Sequence, residues 1–197
     1  MRKVAGELDR LELSKERQVF DEYLQKNKEF EEFAKHFGIS NLYKDSNLQQ
    51  LQQALYLGLT FQPSRQSVDA TDYNGHDREL KSLNINNQTK AFSTANPLTH
   101  NVIDRYRKCK FAFSLYDNTY LKKIYVMNPS DLECYFSKWE DSLRFKSFLN
   151  NPNISLRYVE QNGFLVYNSD FSRYVVDPVP LLNLIDELEN IPDESVS

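Results

Sequence analysis

The chain has 197 residues, 40% hydrophobic and 13% aromatic, with a formal net charge of −4. That fits one domain with an appendage, and the aromatic content is enough for a real core. With five glycines and neither G-x-x-x-x-G-K nor G-x-G-x-x-G, a phosphate-cradling glycine loop is excluded, and no apolar run is long enough to span a membrane.

The N-terminus is charged (Arg2, Lys3, Glu7, Asp9, Arg10), which predicts no signal peptide. Val19, Phe20, Tyr23, Leu24, Phe30, Phe33, Ala34 and Phe37 predict a long amphipathic helix ending near Gly38. Its aromatic stripe suits core packing and a dimer contact better than base stacking. Leu48, Leu51, Ala54 and Leu55 predict a second helix. A hairpin follows, opening near Ser67 and closing near Ile85, with Asn74-Gly75 as the turn dipeptide. Residues 86–100 are polar and read as a loop. A helix over Asn101–Lys108 leads into a strand at Phe111–Tyr116, and Asp117-Asn118-Thr119 turns into another at Tyr120–Val126. Asn128-Pro129-Ser130 opens a helix through Trp139, with Ser130 as N-cap and Glu133 completing a capping box. Asn150-Asn151-Pro152 is a loop, and short strands near Leu156–Val159 and Phe164–Tyr167 follow.

A last helix is expected at Leu181–Glu189, with residues 190–197 disordered. The tail from residue 168 sets seven carboxylates against Arg173, which leaves the remaining body net basic. A near-neutral body can still hold a basic cleft. Cys109 and Cys134, with no C-x-x-C, predict a reduced cytoplasmic protein rather than a disulfide scaffold. His36, His76 and His100 lack metal-ligand spacing. The fold class is α+β around a mixed sheet.

The chemistry concentrates in VDATDYNGHDRELKSLNI. If the hairpin loop is Tyr73-Asn74-Gly75, Asp69 faces Glu79 with Cβ atoms about 5 Å apart. Lys81 then shares their face and Leu80 points the other way. A two-residue Asn74-Gly75 loop would instead oppose Asp69 to Leu80. Two close carboxylates suit one or two Mg²⁺ ions, and an adjacent ammonium can steady developing negative charge. That is the constellation of a metal-dependent phosphodiesterase. The same residue types also make a solvated hairpin face with a surface salt bridge.

The blocks GLTFQPSRQSVDATDYNGHDRELKSLNI, TKAFST, DRYR, NPSDLECYFSKWE, NNPNISLRYV and NGFLVY carry a resemblance. In this order they resemble the PvuII-like Type II restriction endonucleases of the PD-(D/E)xK nuclease superfamily. The resemblance runs from about Gly38 to Tyr167. It implies a central mixed β-sheet flanked by helices, and a homodimer that cuts both strands of a short palindrome in double-stranded DNA with Mg²⁺. It also implies 5′-phosphate ends and a cognate DNA methyltransferase acting on the same site. Residues 1–167 are then the endonuclease domain, with the N-terminal helix in dimerisation, the catalytic hairpin at 67–85 and a recognition region at 86–165. Residues 168–197 are an acidic extension.

Carried across by residue, the resemblance makes Asp69 and Glu79 metal ligands, joined by the Leu80 carbonyl. Lys81 becomes the catalytic lysine and Tyr106 a tyrosine near the scissile phosphate. Asn150 and Asn151 match asparagines that act in the major groove, where a carboxamide pairs with adenine N6 and N7. Asp45 matches an aspartate at the minor groove, and Ser93 and Thr94 a loop that reaches bases and phosphate. Where the family has a histidine run that reads guanines, this chain has Ala95-Asn96-Pro97. Either Asn96 substitutes with different geometry or the target differs. The competing readings are a non-specific, nicking or structure-selective repair nuclease of the same fold, and a non-cleaving DNA-binding module.

Overall fold

A computed structural model of the chain describes residues 15–44, 46–62, 68–95, 97–171 and 173–174. Asp45, Asn96, the expected helix at Leu181–Glu189 and the expected disordered end lie outside the described residues. The chain divides into two units, residues 1–42 and 43–197. The first holds helix α1, Lys15–Lys35. Its Val19, Phe20, Tyr23, Leu24, Phe30 and Phe33 are exposed, so this stripe is not core as half expected. The chain leaves the helix through Gly38 at φ 74°, a left-handed conformation that glycine adopts without steric cost.

The second unit runs α2 (Asn47–Leu57), β1 (Thr60–Phe61), β2 (Ala70–Thr71), β3 (Asp77–Asn84), β4 (Ala91–Ser93), α3 (His100–Tyr106) and β5 (Lys110–Asp117). It continues with β6 (Tyr120–Met127), α4 (Glu133–Leu143), β7 (Asn153–Ser155), α5 (Leu156–Asn162), β8 (Phe164–Asn168) and β9 (Arg173–Tyr174). Among the described residues seven strands form one mixed sheet in the order β1-β2-β3-β5-β6-β8-β9, and β4 pairs with β7 in a separate ribbon. β3 and β5 are parallel, while the other neighbours are antiparallel. Among the described residues no helix is long and apolar enough to cross a membrane.

The parallel pair explains why the site is buried. A parallel pair needs a crossover, and the intervening segment covers the sheet. β5 is accordingly buried along nearly its whole length. On one face Phe111, Phe113 and Leu115 join Leu83, Tyr106, Phe136 and Trp139 in the main core. Toward α2, the Tyr116 hydroxyl donates to the Gln49 carbonyl at 3.0 Å.

Three local readings are corrected. Leu156–Val159 is helical rather than a strand, because the Ser155 hydroxyl caps the turn and accepts the Tyr158 N–H at 3.2 Å. The polar stretch 86–100 contains β4, whose Phe92 is fully buried. It is too short for its periodicity to show in sequence. The helix expected to start at Ser130 begins as a helix proper only at Glu133, and is entered through a 3₁₀ turn, Pro129–Leu132, capped by Asn128, where Asp131 accepts the Asn128 N–H at 2.9 Å. Proline suits that first position because its missing N–H is not required there.

The hairpin takes the three-residue loop. Ala70 pairs with Arg78 and Thr71 with Asp77, and the Gly75 N–H donates to the Asp72 carbonyl at 3.0 Å. Gly75 sits at φ 82°, where a side chain would be strained. Asp72 anchors the loop by accepting the Asn74 and His76 N–H groups at 2.9 and 2.8 Å. Its other oxygen meets the Arg78 guanidinium at 2.5 Å, with both side chains buried. Removing one partner of such a pair strands a buried charge. Arg78→Met is therefore expected to cost about 3–5 kcal/mol, read as a lower urea midpoint at unchanged slope. A loss below about 1 kcal/mol would give the pair only the worth of a surface salt bridge.

Candidate active site

The hairpin register carries Asp69 across from the β3 segment Glu79-Leu80-Lys81. Asp69 Oδ2 accepts the Leu80 N–H at 2.8 Å, so the aspartate is tied to the amide lying between the other two residues. Its Oδ1 accepts from Gln50 Nε2 of α2 at 3.1 Å. Glu79 and Lys81 extend on the face of β3 that neighbours Phe111 and Phe113 of β5. There Lys81 Nζ donates to Glu79 Oε1 at 2.6 Å. Glu79 is 5% exposed, and the Lys81 side chain is 13% exposed. A solvated hairpin face with a surface salt bridge does not describe this arrangement.

Tyr106 closes the other side. It is fully buried, its ring meets Phe111 edge-on at 5.2 Å, and Lys81 Nζ lies 5.7 Å from its centroid. Its hydroxyl accepts the Ala95 N–H at 3.2 Å.

Burial sets the electrostatics. It pushes the Asp69 carboxyl up to about 6, helped by the charge of Glu79 and opposed by Lys81, the Leu80 N–H and Arg105. Burial alone would strip the Lys81 proton, but Glu79, Tyr106 and Asp69 hold its pKa above the usual lysine range. Tyr106 is pushed up to about 12 by burial, against the pull of Lys81. At neutral pH the site thus holds an ammonium, a neutral phenol, and an aspartate whose carboxyl is raised by burial and by its glutamate neighbour. Two hard carboxylate oxygen donors whose repulsion a cation would relieve fit a divalent ion such as Mg²⁺. Among the described residues no cluster of three or more His, Cys, Asp or Glu side chains is assembled. Any further ligands would therefore come from carbonyls, water or a substrate phosphate.

The expected DNA-reading residues gather in a second place. Ser93, exposed at the end of β4, pairs in register with Asn153 of β7. The Thr94 N–H and hydroxyl both donate to the Pro152 carbonyl, at 3.2 and 2.6 Å. This pins the 93–95 loop to the Asn150-Asn151 turn, where both asparagines are exposed. Asn151 has φ 41°, a conformation asparagine tolerates better than most residues. A groove of about 470 Å³ lined by Lys138, Trp139, Lys146, Phe148 and Asn150 lies alongside. Thr94 is committed internally, so in this state its hydroxyl shapes the loop rather than facing outward.

Sequence reasoning missed two residues at the site. Gln50 carries no spacing relative to Asp69, and only the packing of α2 reveals it. Arg105 lies inside the DRYR block beside Tyr106, where adjacency to a site residue was the available signal.

The mixed sheet, its flanking helices and the Asp-Glu-Lys triplet set around the buried Glu79 define a nuclease of the restriction-endonuclease type. The model of the restriction endonuclease PvuII family matches residues 15–167, and the chain belongs to that family. It is accordingly a Type II site-specific deoxyribonuclease, an endonuclease that binds and hydrolyses DNA as part of a restriction system. Such enzymes generally use a divalent metal.

A carboxyl raised from 3.8 to about 6 contributes its stability fully only below the lower value and loses it as pH rises through the upper one. In EDTA, Asp69→Asn is expected to melt above wild type at about pH 8 and close to it at about pH 4. A melting difference that does not widen with pH would return Asp69 to an ordinary aspartate.

Proposed function

We propose that the chain cuts both strands of a short palindromic DNA site as a homodimer, with Mg²⁺ held by Asp69, Glu79 and the Leu80 carbonyl. The observation that carries this is the Asp69–Glu79 pair, with Glu79 buried and Asp69 partly so, tied through the Leu80 amide and faced by Lys81 at 2.6 Å from Glu79. When bound, the ion draws charge from the phosphate oxygens and acidifies a water. The protein's own groups do the rest. Asp69 and Glu79 would hold that ion and so fix the position of the reacting phosphate. Lys81 keeps its proton on Nζ and donates a hydrogen bond to oxygen as negative charge develops. Tyr106, kept neutral, holds the 93–95 loop through its hydroxyl and borders the scissile phosphate. The product ends carry 5′ phosphates.

Asn150 and Asn151 read base edges in the major groove, an adenine in each half-site being the natural partner of a carboxamide. Ser93 and Asn96 contact DNA from the neighbouring loop, whose shape Thr94 holds through the Pro152 carbonyl, and Asp45 does so from the minor groove. With Ala95-Asn96-Pro97 in place of the family's histidines, the recognised sequence is a different one. Residues 1–167 form the endonuclease domain, with α1 in dimerisation, and residues 168–197 an acidic extension. The reading places the enzyme in the cytoplasm beside a methyltransferase that protects the same site.

Digestion of a large unmethylated phage DNA in Mg²⁺ tests the reading. Wild type is expected to yield discrete bands, Asp69→Ala none, and Lys81→Ala a rate lower by at least about 10². Run-off sequencing of the ends gives the site and cut position. A smear would favour a non-specific or structure-selective nuclease, and intact DNA in a retarded complex a binding module.

Once the site is mapped, Asn151→Ala is expected to lose about 1–3 kcal/mol of discrimination at one base pair. An equal loss of affinity on all sequences would place Asn151 on the phosphate backbone.

A further inference from the structure

The cationic side chains around the site are largely committed. Arg78 meets Asp72 and Lys81 meets Glu79. Arg107 donates four hydrogen bonds to Glu133 and Glu140. Arg105 differs. Its Nε is buried without a hydrogen-bond partner, and among the described residues no carboxylate pairs with its guanidinium. Its Cζ lies 5.8 Å from the centroid of Tyr106, the same ring that Lys81 Nζ approaches to 5.7 Å. Two cations therefore border one aromatic plate beside Asp69 and Glu79.

The placement follows from helix geometry. Residues two apart on a helix point in roughly opposite directions, about 200° around the axis. Arg107 fastens α3 to the α4 carboxylates, so Arg105 is turned away from them and toward the site. Its field is felt there, since it helps pull the Asp69 and Tyr106 pKa values down. The buried Nε of this half-buried guanidinium has no acceptor, and a cation–π contact does not replace one. An arriving phosphodiester supplies the missing anion, because the guanidinium fork matches two phosphate oxygens.

We propose that Arg105 binds a non-bridging oxygen of the scissile phosphate and is a catalytic residue of this nuclease. The proposal rests on the reading of Asp69, Glu79 and Lys81 given above. In hydrolysis the hydroxyl of water ends on phosphorus and its hydrogen on the departing 3′ oxygen, so no co-reactant is needed. Charge on the non-bridging oxygens grows as the bond to water forms and the bond to the 3′ oxygen breaks. The guanidinium hydrogen bonds strengthen at that point.

The test is single-turnover cleavage, in Mg²⁺, of a duplex carrying the mapped site. Wild type, Arg105→Ala, Arg105→Lys and Asp69→Ala are compared as full chains. Arg105→Ala is expected to cut about 10²–10³-fold more slowly. Its effect on duplex affinity, measured in the Lys81→Ala background, should stay within about tenfold. Arg105→Lys should fall between the two, keeping the charge but not the fork. Guanidinium chloride at a non-denaturing concentration should restore part of the Arg105→Ala rate where potassium chloride does not. A wild-type rate for Arg105→Ala overturns the proposal, as does a slow rate that guanidinium fails to rescue. If Arg105→Ala does not fold, Arg105→Lys decides: a slowed rate at unchanged affinity supports the proposal, and a wild-type rate overturns it. Cleavage by Asp69→Ala would sink the reading of the site itself, whatever Arg105 does.

Discussion

The hydrogen bond from the Leu80 amide to Asp69 Oδ2, 2.8 Å long, is the joint on which the site depends. It exists because the hairpin closes on a three-residue loop with Gly75 at positive φ. A loop shorter by one residue would shift the register and send Asp69 to a different partner. Asp72 and Arg78 guard that register from within the fold, one capping the loop and the other lying on the strand that carries Glu79.

That joint brings like charges together in a buried place, which costs free energy in the isolated chain. The raised Asp69 carboxyl expresses the cost, and the Lys81 ammonium offsets part of it. The surroundings are rigid enough to hold the arrangement. β3 lies parallel to β5, and Phe111, Phe113 and Tyr106 fill the space behind the charges. Gln50 adds a second restraint on Asp69 from α2. A site held in this strained electrostatic state gains most from a cation and a phosphate, so stability and chemistry pull in opposite directions here.

Two short contacts link the charged site to the loop and turn expected to read DNA. Thr94 binds the Pro152 carbonyl, and the next residue, Ala95, donates its N–H to the Tyr106 hydroxyl. The 93–95 loop therefore touches both the Asn150-Asn151 turn and the tyrosine beside Lys81. A shift in that loop on one side has a direct covalent and hydrogen-bonded route to the other. The α3 helix carrying Tyr106 is fastened to α4 by Arg107, which limits how that shift can be absorbed.

The sequence by itself determined what local pattern encodes. Helix α2, strands β5 and β6, the Asn74-Gly75 turn and the Asp69, Glu79 and Lys81 triplet were all legible. Helical and alternating periodicities act over neighbouring residues, and a turn dipeptide acts where it stands. It left open which hairpin register forms and whether the triplet faces solvent or core. Both depend on what covers β3, which lies far away along the chain. Tertiary structure alone decided the β4–β7 ribbon, because two three-residue strands have no periodicity to read. It also decided that Ser155 would start a helix rather than continue a strand, a choice set by one cap. Gln50 entered the site through packing, since nothing in its neighbouring residues marks it for Asp69, and Arg105 had only its adjacency to Tyr106 to mark it.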